Sequence, residues 1–163
     1  MAAYVIGVAP PDPRTLVDRL KTTARDLVAL LSGASSEQLA RSPGGGEWAP
    51  ATVISHLADD ELVYSVYFRM VLAGDRPYLA GYDQEAWVRR LSELEPDAKS
   101  SLARWRALRE ANLRLLESLD TDEWKLSGLH AVRGEETMVQ LANVLANHDR
   151  EHLDQIRKGL ASE

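Results

Sequence analysis

Two histidines one helical turn apart, His148 and His152, stand in the run Ala146-Asn147-His148-Asp149-Arg150-Glu151-His152-Leu153 and are the residues of this chain best suited to chemistry. They interrupt a series Met138, Leu141, Leu145, His148, His152, Ile156 whose steps of three and four are the core-facing rhythm of an amphipathic helix. Both imidazoles are therefore expected to point inward. An i,i+4 pair lies on one helical face, about 6 Å apart along the axis, so two ring nitrogens can converge on one divalent ion. The competing role is structural, with each buried ring satisfied by a backbone or carboxylate partner.

With only four histidines in the chain, a third imidazole ligand has few places to come from, the other two being His56 and His130. His56 is the better candidate. It stands early in a second long amphipathic segment, Thr52-Val53-Ile54-Ser55-His56-Leu57-Ala58-Asp59-Asp60-Glu61, where a helix holds its ring at a fixed angle. His130 follows Ser127-Gly128-Leu129 and precedes Arg133-Gly134, a stretch that reads as a loop. Local hydrogen bonding accounts for it there, with a place at the mouth of a site as the alternative. Asp60, one turn beyond His56, either orients an imidazole or reaches the ion directly. Asp59 and Glu61 are expected on a solvated acidic edge. The absence of cysteine removes disulfides, thiolate ligands and a cysteine nucleophile, leaving imidazole and carboxylate as the metal-binding groups.

The elements that must position these residues are helical. A first long helix spans residues 13–32 on a stripe of Leu16, Leu20, Ala24, Leu27 and Leu31, stopped by Gly33. Ser35 or Ser36 caps a short turn through Leu39, and Pro43-Gly44-Gly45-Gly46 releases the chain. The second helix starts near Pro50 and continues to about Leu72, with Val53, Leu57, Tyr64, Phe68 and Val71 inward and Gly74 as its stop. Tyr82-Asp83 caps a short helix through Arg90. The third follows Pro96-Asp97 to about Leu119, and the fourth runs from about Glu135 to Leu160. With no convincing strand alternation, this pattern predicts an all-α four-helix bundle with short extra helices in the connectors.

At 163 residues the expectation is a single domain covering residues 1–163, and 45% apolar residues supply its core. A formal net charge of −6 argues against a nucleic-acid or anionic-membrane partner, since phosphate binding needs clustered Lys and Arg. Residues 1–8 lack the basic start and long apolar region of a signal peptide, and no run approaches a membrane span, so a cytoplasmic protein is expected.

The order of three segments carries a family resemblance: Glu47-Trp48 leading into His56-Leu57-Ala58-Asp59, then Tyr82-Asp83-Gln84-Glu85-Ala86-Trp87, then His148-Asp149-Arg150-Glu151-His152-Leu153-Asp154-Gln155-Ile156. The chain resembles the DinB-like family of metal-binding four-helix bundles (the DinB/YfiT-like type) over nearly its whole length. That resemblance implies a divalent metal held by His56, His148 and His152, and a tendency to form homodimers. Apolar positions outside the main stripes, such as Val63, Val66 and Val139, agree with a homodimer. It further implies a small-molecule substrate, with hydrolysis or S-transfer from a low-molecular-weight thiol as the two reactions. Members without a known activity, some named for DNA-damage induction, keep open a non-catalytic metal-binding stress-response or interaction protein.

Three neutral imidazoles leave open positions on a divalent ion, where water or a thiol is made acidic, so the residues alone agree with both reactions. Zn, Ni, Mn and Fe all accept such ligands. The run His148-Asp149-Arg150-Glu151-His152 also fits the His-x-x-Glu-His pattern of inverted zinc proteases, but five residues are weak grounds and those enzymes take another ligand from well downstream. A di-iron bundle site requires paired Glu-x-x-His elements that the chain lacks. Trp48, Tyr64, Tyr67, Tyr82 and Trp87 either wall a substrate cleft or belong to the core. Arg106, Arg109 and Arg133 are candidate anchors for an anionic substrate, with surface or ion-pair roles as the alternative.

Overall fold

Each long helix forms where its stripe and its start signal coincide, as a computed structural model describing residues 11–94 and 97–162 makes plain. Helix α1 covers Pro13–Leu31, α2 Ser36–Ala40, α3 Pro50–Ala73, α4 Gln84–Leu94, α5 Ala98–Ser118 and α6 Met138–Ala161. The N-termini are closed by side chains that take up otherwise unpaired amides. Asp12 accepts from the amides of Arg14 and Thr15, and Asp97 from those of Lys99 and Ser100. Ser35 with Gln38 and Thr137 with Gln140 form reciprocal capping boxes. Residues 1–8, read above for targeting signals, and Pro96 lie outside the described residues.

The expected four-helix bundle is present, and a small sheet is added to it in segments that show no strand alternation. A three-stranded sheet, β1 (Tyr78–Leu79), β2 (Ser127–His130) and β3 (Gly134–Thr137), covers part of the bundle. Strand β1 runs parallel to β2 with Tyr78 opposite Leu129, and β2 pairs antiparallel with β3, His130 opposite Gly134. His130 is thus the last residue of a strand, and the fourth long helix begins at Met138, since the stretch from Gly134 is sheet. Strands of two and four residues are too short to show a period. Gly134 takes φ +81 at the hairpin, and a Cβ on Gly128 would stand 3.0 Å from the Leu79 side chain and the Pro77 carbonyl oxygen, so glycine there lets β1 approach β2 without displacing either.

Helix α3 packs against α5 and α6, while α1 packs against α6 and α5. Because α3 is covered on several faces, its acidic run is not a solvated edge: Asp59, Asp60 and Glu61 are all buried. Asp59 pairs with Arg104 at 2.9 Å. Glu61, at 0% exposure, meets Arg109 of α5, itself 2% exposed and therefore not an anchor for an incoming substrate. The Arg109 guanidinium bonds Glu61 Oε2 through Nε at 3.0 Å and through a terminal nitrogen at 2.5 Å. Its other terminal nitrogen meets Asp149 Oδ2 of α6 at 2.7 Å and donates to the Leu20 carbonyl of α1 at 3.4 Å. Asn112 donates to Glu61 Oε1 at 2.7 Å, and Trp105 lies beneath the guanidinium at 4.7 Å.

This charged layer also revises the inward stripe of α6. Beyond Leu145 the buried positions are Ala146, Asp149, Leu153, Ile156 and Gly159, whereas His148 and His152 lie alongside them, half-buried. Of the three positions offered as dimer contacts, Val63 and Val139 pack against the core, while Val66 stays exposed. Among the described residues no helix is long and apolar enough to cross a membrane.

Removing the guanidinium alone should be costly. Arg109→Met conserves much of the volume but strands two buried carboxylates, and a loss of roughly 3–5 kcal/mol is expected. Urea unfolding measures it, and a loss below about 1 kcal/mol would mean that the carboxylates are satisfied without Arg109.

Candidate metal centre

Helix α3 carries His56 within its first two turns, and α6 carries His148 and His152 one turn apart. The packing of α3 on α6 brings the three rings together. His148 Nε2 lies 3.1 Å from His56 Nε2 and 3.0 Å from His152 Nε2, and the three candidate ligand atoms fall within 4.8 Å of one another. His130 is not among them. Its Nδ1 accepts from the amides of Val132 and Arg133, and its ring packs edge-on against Tyr67, so local hydrogen bonding explains it.

Which nitrogens face one another follows from the neighbours. Gln155, one turn beyond His152, donates through its amide nitrogen to Glu47 Oε2 at 3.3 Å, which leaves the amide oxygen 2.7 Å from His152 Nδ1. That oxygen only accepts, so His152 carries its proton on Nδ1 and presents a bare Nε2. His148 Nδ1 likewise lies 3.0 Å from Asp60 Oδ2, a carboxylate whose other oxygen accepts from the Tyr82 hydroxyl. The three rings thus turn their Nε2 atoms toward a common point, with that of His152 left bare, as ligands to one cation would. Tetrahedral ligands at bond lengths of 2.0 to 2.1 Å stand roughly 3.3 Å apart, close to what is seen. The donor set fits one divalent ion.

Burial keeps the imidazoles neutral and therefore able to ligate. It lowers the His56 pKa to about 4 and the His148 pKa to about 3, with mutual repulsion between the rings acting in the same direction. His152 is also lowered, first by burial, against the opposing hydrogen bond to Gln155. The Asp60 carboxyl is raised by burial, against the lowering effect of the Tyr82 hydrogen bond.

Of the five aromatics, two belong to the core and three are partly exposed beside the histidines or Asp60. Tyr64 and Tyr67 are buried, whereas Trp48, Tyr82 and Trp87 are half-exposed. Trp48 stacks on His152 with an interplanar angle of 9° and meets His56 edge-on at 5.3 Å, and Trp87 packs 4.6 Å from Tyr82. Arg133 forms a two-pronged ion pair with Glu136 at 2.7 and 2.8 Å, and Arg106 is exposed. Sequence reasoning left Gln155 and Glu47 without a role. The first was available from spacing, since position i+3 on a helix shares the face of His152; the second, 108 residues away, was not.

A four-helix bundle with a three-histidine cluster between two of its helices is the class that fold and site define. The DinB superfamily profile matches residues 19–156, and the chain belongs to that family. YfiT from Bacillus subtilis, described as a probable metal-dependent hydrolase with an unusual four-helix bundle topology, superposes with a TM-score of 0.84 at 20% identity, over 96% of this chain and 90% of that one. The four-helix bundle protein TT2238 superposes with a TM-score of 0.62 at 24% identity, over 90% and 98%. Two proteins of Oceanobacillus iheyensis, both provisionally named metal-dependent hydrolases, are also similar. One is 22% identical over 88% of this chain and 83% of its own length, the other 26% identical over 84% and 75%.

The lowered histidine pKa values set a pH dependence. In the unfolded chain these rings titrate near 6.5 and take up protons that the folded state refuses. Stability of the metal-free protein is therefore complete above about pH 6.5 and falls as pH drops from there through about 4. Thermal melting across this range checks it. A midpoint unchanged between about pH 7.5 and pH 5 would show that the imidazoles titrate normally in the folded state.

Proposed function

We propose that this chain is a divalent-metal-dependent enzyme that hydrolyses a small molecule, with His56, His148 and His152 as the metal ligands. The observation that carries the reading is the convergence of three imidazoles, with His148 Nε2 at 3.1 and 3.0 Å from the Nε2 atoms of His56 and His152, while the Nδ1 atoms of His148 and His152 face Asp60 and Gln155. When bound, a divalent ion at this donor set supplies Lewis-acid activation of water or of a thiol near neutral pH. Asp60 and Gln155 hold the rings of His148 and His152 at the angles ligation needs. The Tyr82 hydroxyl holds Asp60 in turn, and Trp48 shields the His152 ring from bulk water.

The partial exposure of His148 and His152 supports catalysis over a fully closed structural staple. S-transfer from a low-molecular-weight thiol is the second reading, favoured by the same observation: three neutral ligands leave the cation's charge available to hold a thiolate. The provisional names of the similar proteins give hydrolysis precedence. Zn, Ni, Mn and Fe are the candidate ions. Elemental analysis of protein purified without a histidine tag, followed by ester, amide and thiol-conjugation assays with the metal found, tests the proposal. Absence of stoichiometric metal even after incubation with zinc would overturn it, and stoichiometric metal without turnover would favour the stress-response or interaction role.

A homodimer is part of the proposal. Leu62, Val66 and Met70 recur every four residues on α3 and remain exposed, forming an apolar stripe suited to a second copy. Light scattering should show a mass that rises toward the dimer with concentration; a monomer mass at all concentrations would refute it.

Loss of a ligand separates metal from fold. His148→Ala and His152→Ala are expected to stay helical by circular dichroism, because the core does not include these rings, while zinc affinity collapses and any activity disappears. Full zinc affinity in either variant would show that the triad has been misread.

A further inference from the structure

Glu47 belongs to the connector between α2 and α3, just after three consecutive glycines with positive φ, and its side chain reaches across to α6. There it accepts from the Gln155 amide nitrogen at 3.3 Å, and Gln155 Oε1 faces His152 Nδ1 at 2.7 Å. An amide has two ends of nearly equal shape and opposite polarity. If the end nearest His152 were NH2, the ring would have to accept on Nδ1 and carry its proton on Nε2, the atom directed at His56 and His148. Ligation would then be blocked without any change in fold. Glu47 decides between the two orientations, because a carboxylate accepts from the NH2 end and repels the oxygen end.

We propose that Glu47 and Gln155 are positioning residues: the Glu47 carboxylate orients the Gln155 amide, and the amide oxygen holds His152 in the tautomer that leaves Nε2 free. The proposal rests on the metal-centre reading for its purpose, but the tautomer exists in the metal-free chain. It also gives a role to Glu47 of the Glu47-Trp48 pair, a segment that the ligand set leaves unused. Trp48, next in the chain, stacks on the same imidazole, so one connector fixes both the plane of the ring and the position of its proton.

The experiment uses the full chain labelled with 15N and free of metal. Imidazole nitrogen shifts are read for the unaltered protein, Gln155→Leu, Glu47→Ala and the Glu47→Gln/Gln155→Glu double variant, and each is then titrated with zinc alone. The unaltered protein should hold its His152 proton on Nδ1. Gln155→Leu should mix the tautomers and bind zinc roughly ten- to a hundredfold more weakly, as loss of a ligand-orienting partner does. Glu47→Ala should shift the same signals by a smaller amount. The double variant exchanges carboxylate and amide while keeping a donor-to-acceptor chain, and should restore both tautomer and affinity to within a few-fold. Both altered residues lie toward the surface, so circular dichroism and melting should not change.

A His152 proton on Nε2 in the unaltered protein, or unchanged shifts and zinc affinity in Gln155→Leu, would overturn the proposal. Unchanged shifts in Glu47→Ala would overturn the part assigned to Glu47. Failure of the unaltered chain to bind zinc would overturn the metal-centre reading alone, because the shifts of the metal-free protein decide the positioning claim independently.

Discussion

The contact on which the rest of the structure depends is the Arg109 guanidinium between Glu61 and Asp149. From one side chain of α5 it reaches a carboxylate on α3, a carboxylate on α6 and the Leu20 carbonyl on α1, so every long helix meets at one planar cation. Desolvating such a group is costly, and apolar residues of the same volume often stabilise as well or better. Its effect is better understood as one on registry. Leucines facing one another tolerate several offsets between two helices, whereas two carboxylates and a guanidinium with fixed donor directions do not.

Registry matters here because the clamp and the histidine cluster use neighbouring residues on the same two backbones. Glu61 follows Asp60, and Asp149 follows His148, so the Arg109 layer and the Asp60 to His148 contact are adjacent rungs between α3 and α6. A shift of one helix by a residue would separate both. An ion held by the three rings would therefore find them already brought together by core packing, in contrast to small zinc domains where the metal does the gathering.

Three of the four long helices were legible within a residue or two, because each had both a stripe and a start signal, such as Pro13 after Asp12 or Pro50 in the first turn of α3. The fourth was misjudged at its start, where Thr137 caps α6 but the residues before it form β3. The pairing of His148 with His152 was legible because i,i+4 spacing is a local property, and His56, which the structure brings beside them, was pointed to by the family resemblance. The surroundings were not. Reading Asp59 and Glu61 as a solvated edge assumed that α3 has one buried face, and only the assembled bundle shows it covered on several. The same assumption placed His148 and His152 in the core stripe, when the core position between them and α5 belongs to Asp149. Tertiary charge pairs such as Glu61 with Arg109, 48 residues apart, carry no local period and so leave no trace in a one-dimensional pattern.

The charge of the ligand set bears on what an ion there can do. Three imidazoles contribute no formal charge, and burial holds them neutral. The nearest carboxylate, Asp60, faces a ring nitrogen and a tyrosine hydroxyl, and so acts through His148. Gln155, at the equivalent place behind His152, is an amide and adds no charge. A divalent cation in such a setting keeps most of its charge for whatever enters the remaining positions, and an anion formed from water or a thiol is the ligand that lowers the energy most. Had carboxylates replaced two of these rings, their charge would already have neutralised the ion, and the acidity of a bound neutral molecule would fall accordingly. Uncharged donors, with a single carboxylate held one bond network away, are thus what would suit this cluster, with an ion bound, to activating a small nucleophile.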